Sequence, residues 1–339
     1  LGVGVSTAPK AKAANLFWDI NSSGAGLGGT GNWDTTSAFW TDSGSNLYAP
    51  GYDVAAAKTF TSADTAFFYG TAGTATLTGS ITVGGLNFGT TAYTINTGAN
   101  TLSLGSASSV NITLNNAATA TPTTAMTQTI TGAVSGSGNI TLTGGVLGGI
   151  ASNVLTFQGT STGGWSGTTT INVGQTLKLA GLSQALLNTT SITLKGGGIN
   201  LTNTTAAEAA VNRINDSAAI TSNGGTITVA NTVAAGTAYS EAIGAITAAA
   251  GRLDINPTTS NTGGTQVLTL ANLTQTGSGT VAFSIAGLTA TTQLGVATNK
   301  IVATSLASTA VNAIIGPWAT VGTVSNAQTD YAVNNINAG

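Results

Sequence analysis

The sequence predicts an all-β chain wound as a β-solenoid, and three observations carry that prediction. Thr makes up about one residue in five, and Gly 47 of the 339. Thr fits a pleated, half-buried surface, while Gly and Asn supply turns. Short runs alternate apolar residues with Thr, Ser or Asn, the period-2 signature of a strand with one buried face. These runs recur roughly every 7 to 15 residues, without a clear linker, from near residue 60 to near residue 285.

Taken in order, the runs are Ile81–Val83, Tyr93–Ile95, Thr101–Leu104, Val110–Leu114, Ile140–Thr143, Val154–Phe157 and Thr170–Val173. Thr176–Leu179, Ile192–Leu194, Ile199–Leu201, Ile227–Val229, Leu253–Ile255, Val267–Leu270 and Val281–Ile285 continue the series. Gly-containing turns fall between them at Thr97–Asn100, Gly136–Asn139, Asn223–Gly225 and Gly277–Gly279. A sandwich or barrel also fits short strands at this spacing. Length decides for the solenoid, because a sandwich rarely exceeds about 250 residues as one unit. Stacked coils then bury a continuous core of Val, Ile and Leu.

Two stretches read differently. Residues 205–214 hold strong helix formers, with Thr204 or Thr205 placed to cap one short helix. Residues 1–14 carry no strand pattern and read as a tail, either the remnant of an export signal or an arm reaching a neighbouring subunit. Residues 15–339 are then the solenoid, with a Trp/Asp-rich N-terminal cap at 15–65 and a closing segment at 305–339.

Composition excludes much chemistry. The chain has 10 acids, 8 bases, no His and no Cys, for a net charge of −2. Without His there is no His-based triad and no imidazole metal site; without Cys there is no disulfide, thiolate nucleophile or zinc cluster. Eight bases cannot neutralise a phosphate backbone, so nucleic acid is not an expected partner. No run approaches the length of a membrane-spanning helix, and no cofactor is expected.

Several passages resemble the autotransporter-associated β-strand repeat proteins of Gram-negative bacteria. They are Phe17-Trp18-Asp19 with Gly24 to Gly31 and Asn32-Trp33-Asp34…Phe39-Trp40, then Leu155–Leu179, in which Trp165 stands where Tyr or Thr is more usual. Asn212-Arg213-Ile214 with Asn223–Thr226 and Ser240-Glu241 follow, and Ile314–Val321 closes the series. The resemblance implies a right-handed parallel β-helix acting outside the cell, at the surface of a Gram-negative-type bacterium, in structure or adhesion. It implies no catalytic residue. The membrane barrel that ends a self-exporting autotransporter is not found in this sequence.

The candidate sites are few. Asp19, Asp34, Asp42, Asp53 and Asp64 cluster near Trp18, Trp33 and Trp40. Trp faces and carboxylates suit a sugar or calcium site. The preferred reading is a cap, in which aromatics close the coil and Asp side chains bind turn amides, because Asp-x-Asp ligand spacing is absent. A glycan-cleaving enzyme needs paired acid–base groups, and Glu208, Asp216, Glu241 and Asp254 with Arg213 and Arg252 form the only mixed-charge region. Solvated charges around a loop are expected there instead. Thr-x-Thr triplets such as Thr74–Thr76, Thr141–Thr143 and Thr226–Thr228 invite an ice-binding reading, but their irregular spacing argues against Thr in register on successive coils. Sequons at Asn111, Asn139, Asn200 and Asn272 are expected by chance.

The sequence therefore points to a secreted, non-enzymatic structural protein that self-associates head-to-tail or by strand addition into a filament or surface layer. The alternative is a surface adhesin or glycan-binding passenger that meets extracellular polysaccharide. A β-helical polysaccharide-degrading enzyme ranks third.

Overall fold

The computed structural model describes residues 13–20, 26–42, 58–105, 109–115, 125–145, 152–160, 164–232, 237–259, 265–284, 299–306, 313–322 and 328–333. Most of the tail at 1–14, parts of the expected cap, including Asp53, and parts of the closing segment lie outside these residues. The described strands form a parallel β-helix with three faces.

The first face stacks Asn15–Trp18, Thr65–Phe68, Gly85–Phe88, Val110–Leu114, Ile140–Gly144, Thr169–Asn172 and Ser191–Lys195, each parallel to the next. It continues through the start of Ala219–Asn231, the start of Ile246–Thr259 and Leu273–Gln275. The second face runs beside it from Gly31–Trp33 through Asn153–Gln158, Gln175–Ala180 and Gly198–Asn203 to Thr280–Ser284 and Ala319–Gly322. The third face is discontinuous. It begins with Ile81–Val83 and the ends of Thr94–Leu104 and Thr127–Ser135. It thins to single bridges, Gly136 with Trp165 and Leu186 with Ile214, and resumes as Ala238–Ile243, Thr265–Leu270 and Asn299–Ala303.

Register makes the core. Ile140, Thr169, Ile192, Ile220, Ile246 and Leu273 lie one above another on the first face. Leu155, Leu177, Ile199, Ile227, Ile255 and Phe283 do so on the second, and all twelve are buried. Each large apolar side chain removed from water contributes about 1.5–3 kcal/mol. Coil length varies, since Ile140 to Thr169 is 29 residues and Thr169 to Ile192 is 23. The turns absorb the difference.

Two expected turns are corners inside continuous strands. Gly98 and Gly224 have positive φ within Thr94–Leu104 and Ala219–Asn231, so the chain passes from one face to the next without leaving the sheet. The expected helix is one turn, Ala206–Ala209, capped by the Thr205 side chain. Among the described strand pairs, parallel pairing gives way in two: Trp40–Thr41 runs antiparallel to Asn15–Trp18, and Gln328–Tyr331 antiparallel to Ala319–Gly322. The alternating pattern of the sequence carries no strand direction, so it did not foretell these.

Gly244 and Gly79 separate the two uses of glycine. A Cβ on Gly244 would meet the Ala218 carbonyl of the preceding coil, whereas one on Gly79 meets nothing within 4 Å. Gly244→Ala is expected to destabilise by more than about 2 kcal/mol through forced separation of two coils. Gly79→Ala is expected to be neutral or stabilising by up to about 1 kcal/mol. Urea unfolding of both variants checks the contrast.

Candidate functional site

The Trp-rich passage folds inward. Trp18, Trp33 and Trp40 are all buried, and their rings pack on one another and on Phe60 and Phe68 at centroid distances of 4.8 to 6.3 Å. The Trp18 indole donates to the Gly29 carbonyl at 2.9 Å. None of these three Trp rings leaves a face for a sugar ring to stack on. Gly28 shows why the passage needs glycine. Its φ is +96°, and a Cβ would collide with the Tyr93 hydroxyl and the Thr71 and Tyr69 carbonyls. Burial pushes that Tyr93 hydroxyl above the ordinary tyrosine range.

The nearby carboxylates mostly bind chain. Asp64 accepts from the Ala14 and Thr61 amides, each at 2.8 Å, and Asp42 pairs with Lys58 at 3.1 Å. Asp19 is buried. Asp34 accepts from the amides and hydroxyls of Thr36 and Ser37. Partial burial acts to raise Asp34, but these hydrogen bonds outweigh it and hold the carboxyl below the ordinary range.

The mixed-charge region departs most from expectation. Arg213 is 0% exposed and Glu241 2%, so these are not solvated loop charges. Residues 204–218 replace a third-face strand, and Arg213 reaches from them into the interior. Its Nη2 donates to the Gly181 carbonyl at 2.6 Å, Asn203 Oδ1 at 2.8 Å and the Thr202 carbonyl at 3.3 Å. Glu241 Oε1 accepts from the Arg213 and Ile214 amides at 3.0 Å each, and Oε2 from the Tyr239 hydroxyl at 3.3 Å. Arg213 thereby ties its own segment to strands on both sides. Burial depresses the Arg213 guanidinium, opposed by nearby Tyr239, Glu241 and Glu208. Burial likewise pushes Glu241 up to about 8, against the two amides and the Arg213 charge that favour its ionised form.

The other members of the region do not join this cluster through any hydrogen bond. Glu208 turns back onto Thr204, accepting from its amide at 2.7 Å and its hydroxyl at 3.0 Å. Asp216 accepts from exposed Asn212 at 2.9 Å. Asp254 pairs with half-exposed Arg252 at 2.9 Å, and burial raises it despite that partner. Glu241, buried beneath the segment, is sealed from any polymeric substrate.

The Thr triplets hide a register that sequence spacing conceals. Thr141, Thr170, Thr193, Thr221, Thr247 and Thr274 stand on successive coils of the first face. The expectation of no register is wrong for this file, because unequal turns restore in space what is uneven in sequence. The file is one residue wide, however. Beside it, Ser191 pairs with Ala219 and Asn172 with Lys195, so no second rank of Thr completes a flat lattice.

No family model matches the chain, and no solved structure matches it. A curated protein does. Over 147 residues the chain is 40% identical to the adhesin BmaC autotransporter of Brucella suis biovar 1 (strain 1330), a stretch covering 40% of this chain and 4% of that protein. The chain therefore spans only a small fraction of the length of that relative. The match bears out the autotransporter-associated resemblance and an extracellular, cell-surface setting. Among the described residues, no helix is long and apolar enough to cross a membrane.

Two contrasts follow from the side-chain environments. Arg213→Ala should destabilise by about 3–5 kcal/mol, leaving buried acceptors without a donor. Arg252→Ala, at a half-exposed pair, should change stability by less than about 1 kcal/mol. Denaturant titration separates them. Asp34, held low, stabilises the fold above the ordinary carboxylate range and loses that contribution as pH falls through its folded value. Melting curves of Asp34→Asn should thus differ from those of the parent at neutral pH and converge with them in acid.

Proposed function

We propose that this chain is a segment of the passenger of a bacterial surface adhesin, a rod of coils that carries binding surfaces away from the cell. The observation that supports it best is the 40% identity to an adhesin autotransporter. That match favours the adhesin over the self-assembling filament. The geometry agrees, because coils stacked at about 4.8 Å give a stiff, elongated body whose length grows with coil number. Its outer positions are mainly Thr, Ser and Asn, so recognition would rest on hydrogen bonds and shape. Extracellular polysaccharide is one target class that suits such a surface, met by hydroxyl and amide groups and not by the buried Trp rings.

Beads coated with the chain and applied to cultured epithelial cells, immobilised matrix proteins and polysaccharides test this. Adherence severalfold above albumin-coated beads is expected on at least one surface, with little loss on adding salt, since few charges are available for screening. Adherence no better than albumin on every surface, together with ordered filaments in electron micrographs of the same preparation, would return the reading to self-assembly.

A further inference from the structure

The corner between the first face and the second is a column of its own. Val173, Gly196, Gly224 and Gly251 occupy it on successive coils. A Cβ on Gly196 would stand 3.1 Å from that of Val173, and one on Gly251 would stand 3.2 Å from the Gly224 α-carbon. The Gly196 amide donates to the Gly224 carbonyl at 2.9 Å. Two of these corners follow an asparagine: Asn172 precedes Val173, and Asn223 precedes Gly224. The second is the only Asn-Gly step in the 339 residues.

An asparagine side chain is open to attack by the backbone nitrogen of the next residue. That nitrogen bonds to the side-chain amide carbon, the bond from this carbon to the NH2 group breaks, and ammonia leaves with the backbone proton. The succinimide so formed takes up one water. Opening on one side gives aspartate; opening on the other gives isoaspartate, whose main chain runs through the former side chain. A β-branched neighbour such as Val173 crowds the attack at Asn172, whereas glycine leaves it open. A regular ladder also holds the backbone too flat for the ring to close. At Asn223 the ladder is interrupted: pairing passes from Asn223–Ala250 to Gly225–Leu253 and skips Gly224. Gly224 has a φ of +89°, and a Cβ on it would meet nothing nearer than the Arg252 carbonyl oxygen at 3.6 Å. The Asn223 side is exposed, which admits the water.

We propose that Asn223 is a self-modifying site: in the folded chain it closes a succinimide with Gly224 and opens to isoaspartate and aspartate. Either product places a carboxylate on a corner that has none. Isoaspartate also lengthens the main chain by one carbon between Ile220 and Ile227, which lie buried in the columns of the first and second faces. Register keeps both columns turned inward, so the added carbon loosens this coil, whereas the added charge alone does not. The site is independent of the adhesion reading, since it concerns the chemistry of one corner.

Ageing the intact chain in mildly alkaline buffer and mapping its peptides by mass spectrometry tests this. Asn223 should convert severalfold faster than Asn172, with isoaspartate among its products. The rate should rise with pH, because the attacking nitrogen sheds its proton. Gly224→Ala, whose methyl crowds the attack, should slow conversion severalfold; the comparison with Asn172 in the parent chain decides the matter if that variant does not fold. Asn223→Asp supplies the charge without the extra carbon. Amides of Ala219–Asn231 should keep their hydrogen-exchange protection in Asn223→Asp and lose it severalfold in the isoaspartate fraction of the aged chain. Conversion at Asn223 no faster than at Asn172 overturns the site. So does conversion that begins only when urea unfolds the chain, a set of products free of isoaspartate, or an undiminished rate in folded Gly224→Ala. Equal protection in the isoaspartate fraction and in Asn223→Asp overturns the loosening.

Discussion

Coil-on-coil register is the constraint on which this structure depends. In a parallel β-helix each inward side chain lies on its counterpart about 4.8 Å away, and no coil buries its apolar face unaided. Leu177, Ile199 and Ile227 are therefore buried less by their own strands than by one another. A slip of one residue would turn the whole column outward. The close approach of Gly244 to the Ala218 carbonyl and the positive-φ corners at Gly98 and Gly224 hold the column in line while coil length varies.

Where the third face lacks a strand, the interior must be filled by other means, and two coils do so differently. On one, Trp165 turns inward against Phe157 and donates its indole N–H to buried Thr169 at 2.9 Å. On the other, Arg213 enters and satisfies carbonyls that a missing strand leaves open. The first solution is apolar with one satisfied donor, and therefore insensitive to pH. The second places a guanidinium beside Glu241 in a poorly solvated interior, where each protonation state weighs on the stability of the coil.

Scarce charge becomes scarcer still on the outside. Of 10 acids and 8 bases, Asp19, Asp64, Glu208, Arg213, Glu241 and Asp254 are buried. What remains outside is a field of hydroxyls and amides, such as the file from Thr141 to Thr274. A surface of this kind gives weak long-range steering and leaves selectivity to local hydrogen-bond geometry.

The sequence by itself determined many of the strands with their inward and outward faces, the short helix and the solenoid class, though not Thr65–Phe68, Gly85–Phe88, Thr127–Ser135 or Ala238–Ile243. Period-2 alternation and β-branched content are local properties, legible within a few residues, as at Val110–Leu114 or Gln175–Ala180. Only the tertiary structure decided which residues share a level of the coil. Coils of 23 and 29 residues scatter partners unevenly along the chain, so neither the Thr file nor the antiparallel pair at Gln328–Tyr331 can be read from spacing. Inward-packed aromatics are already the preferred reading of Trp18, Trp33 and Trp40 from sequence, but the burial of Arg213 with Glu241 was hidden for the same reason. A charged residue in a loop looks alike whether it meets solvent or core, and the strands that decide between them lie tens of residues away.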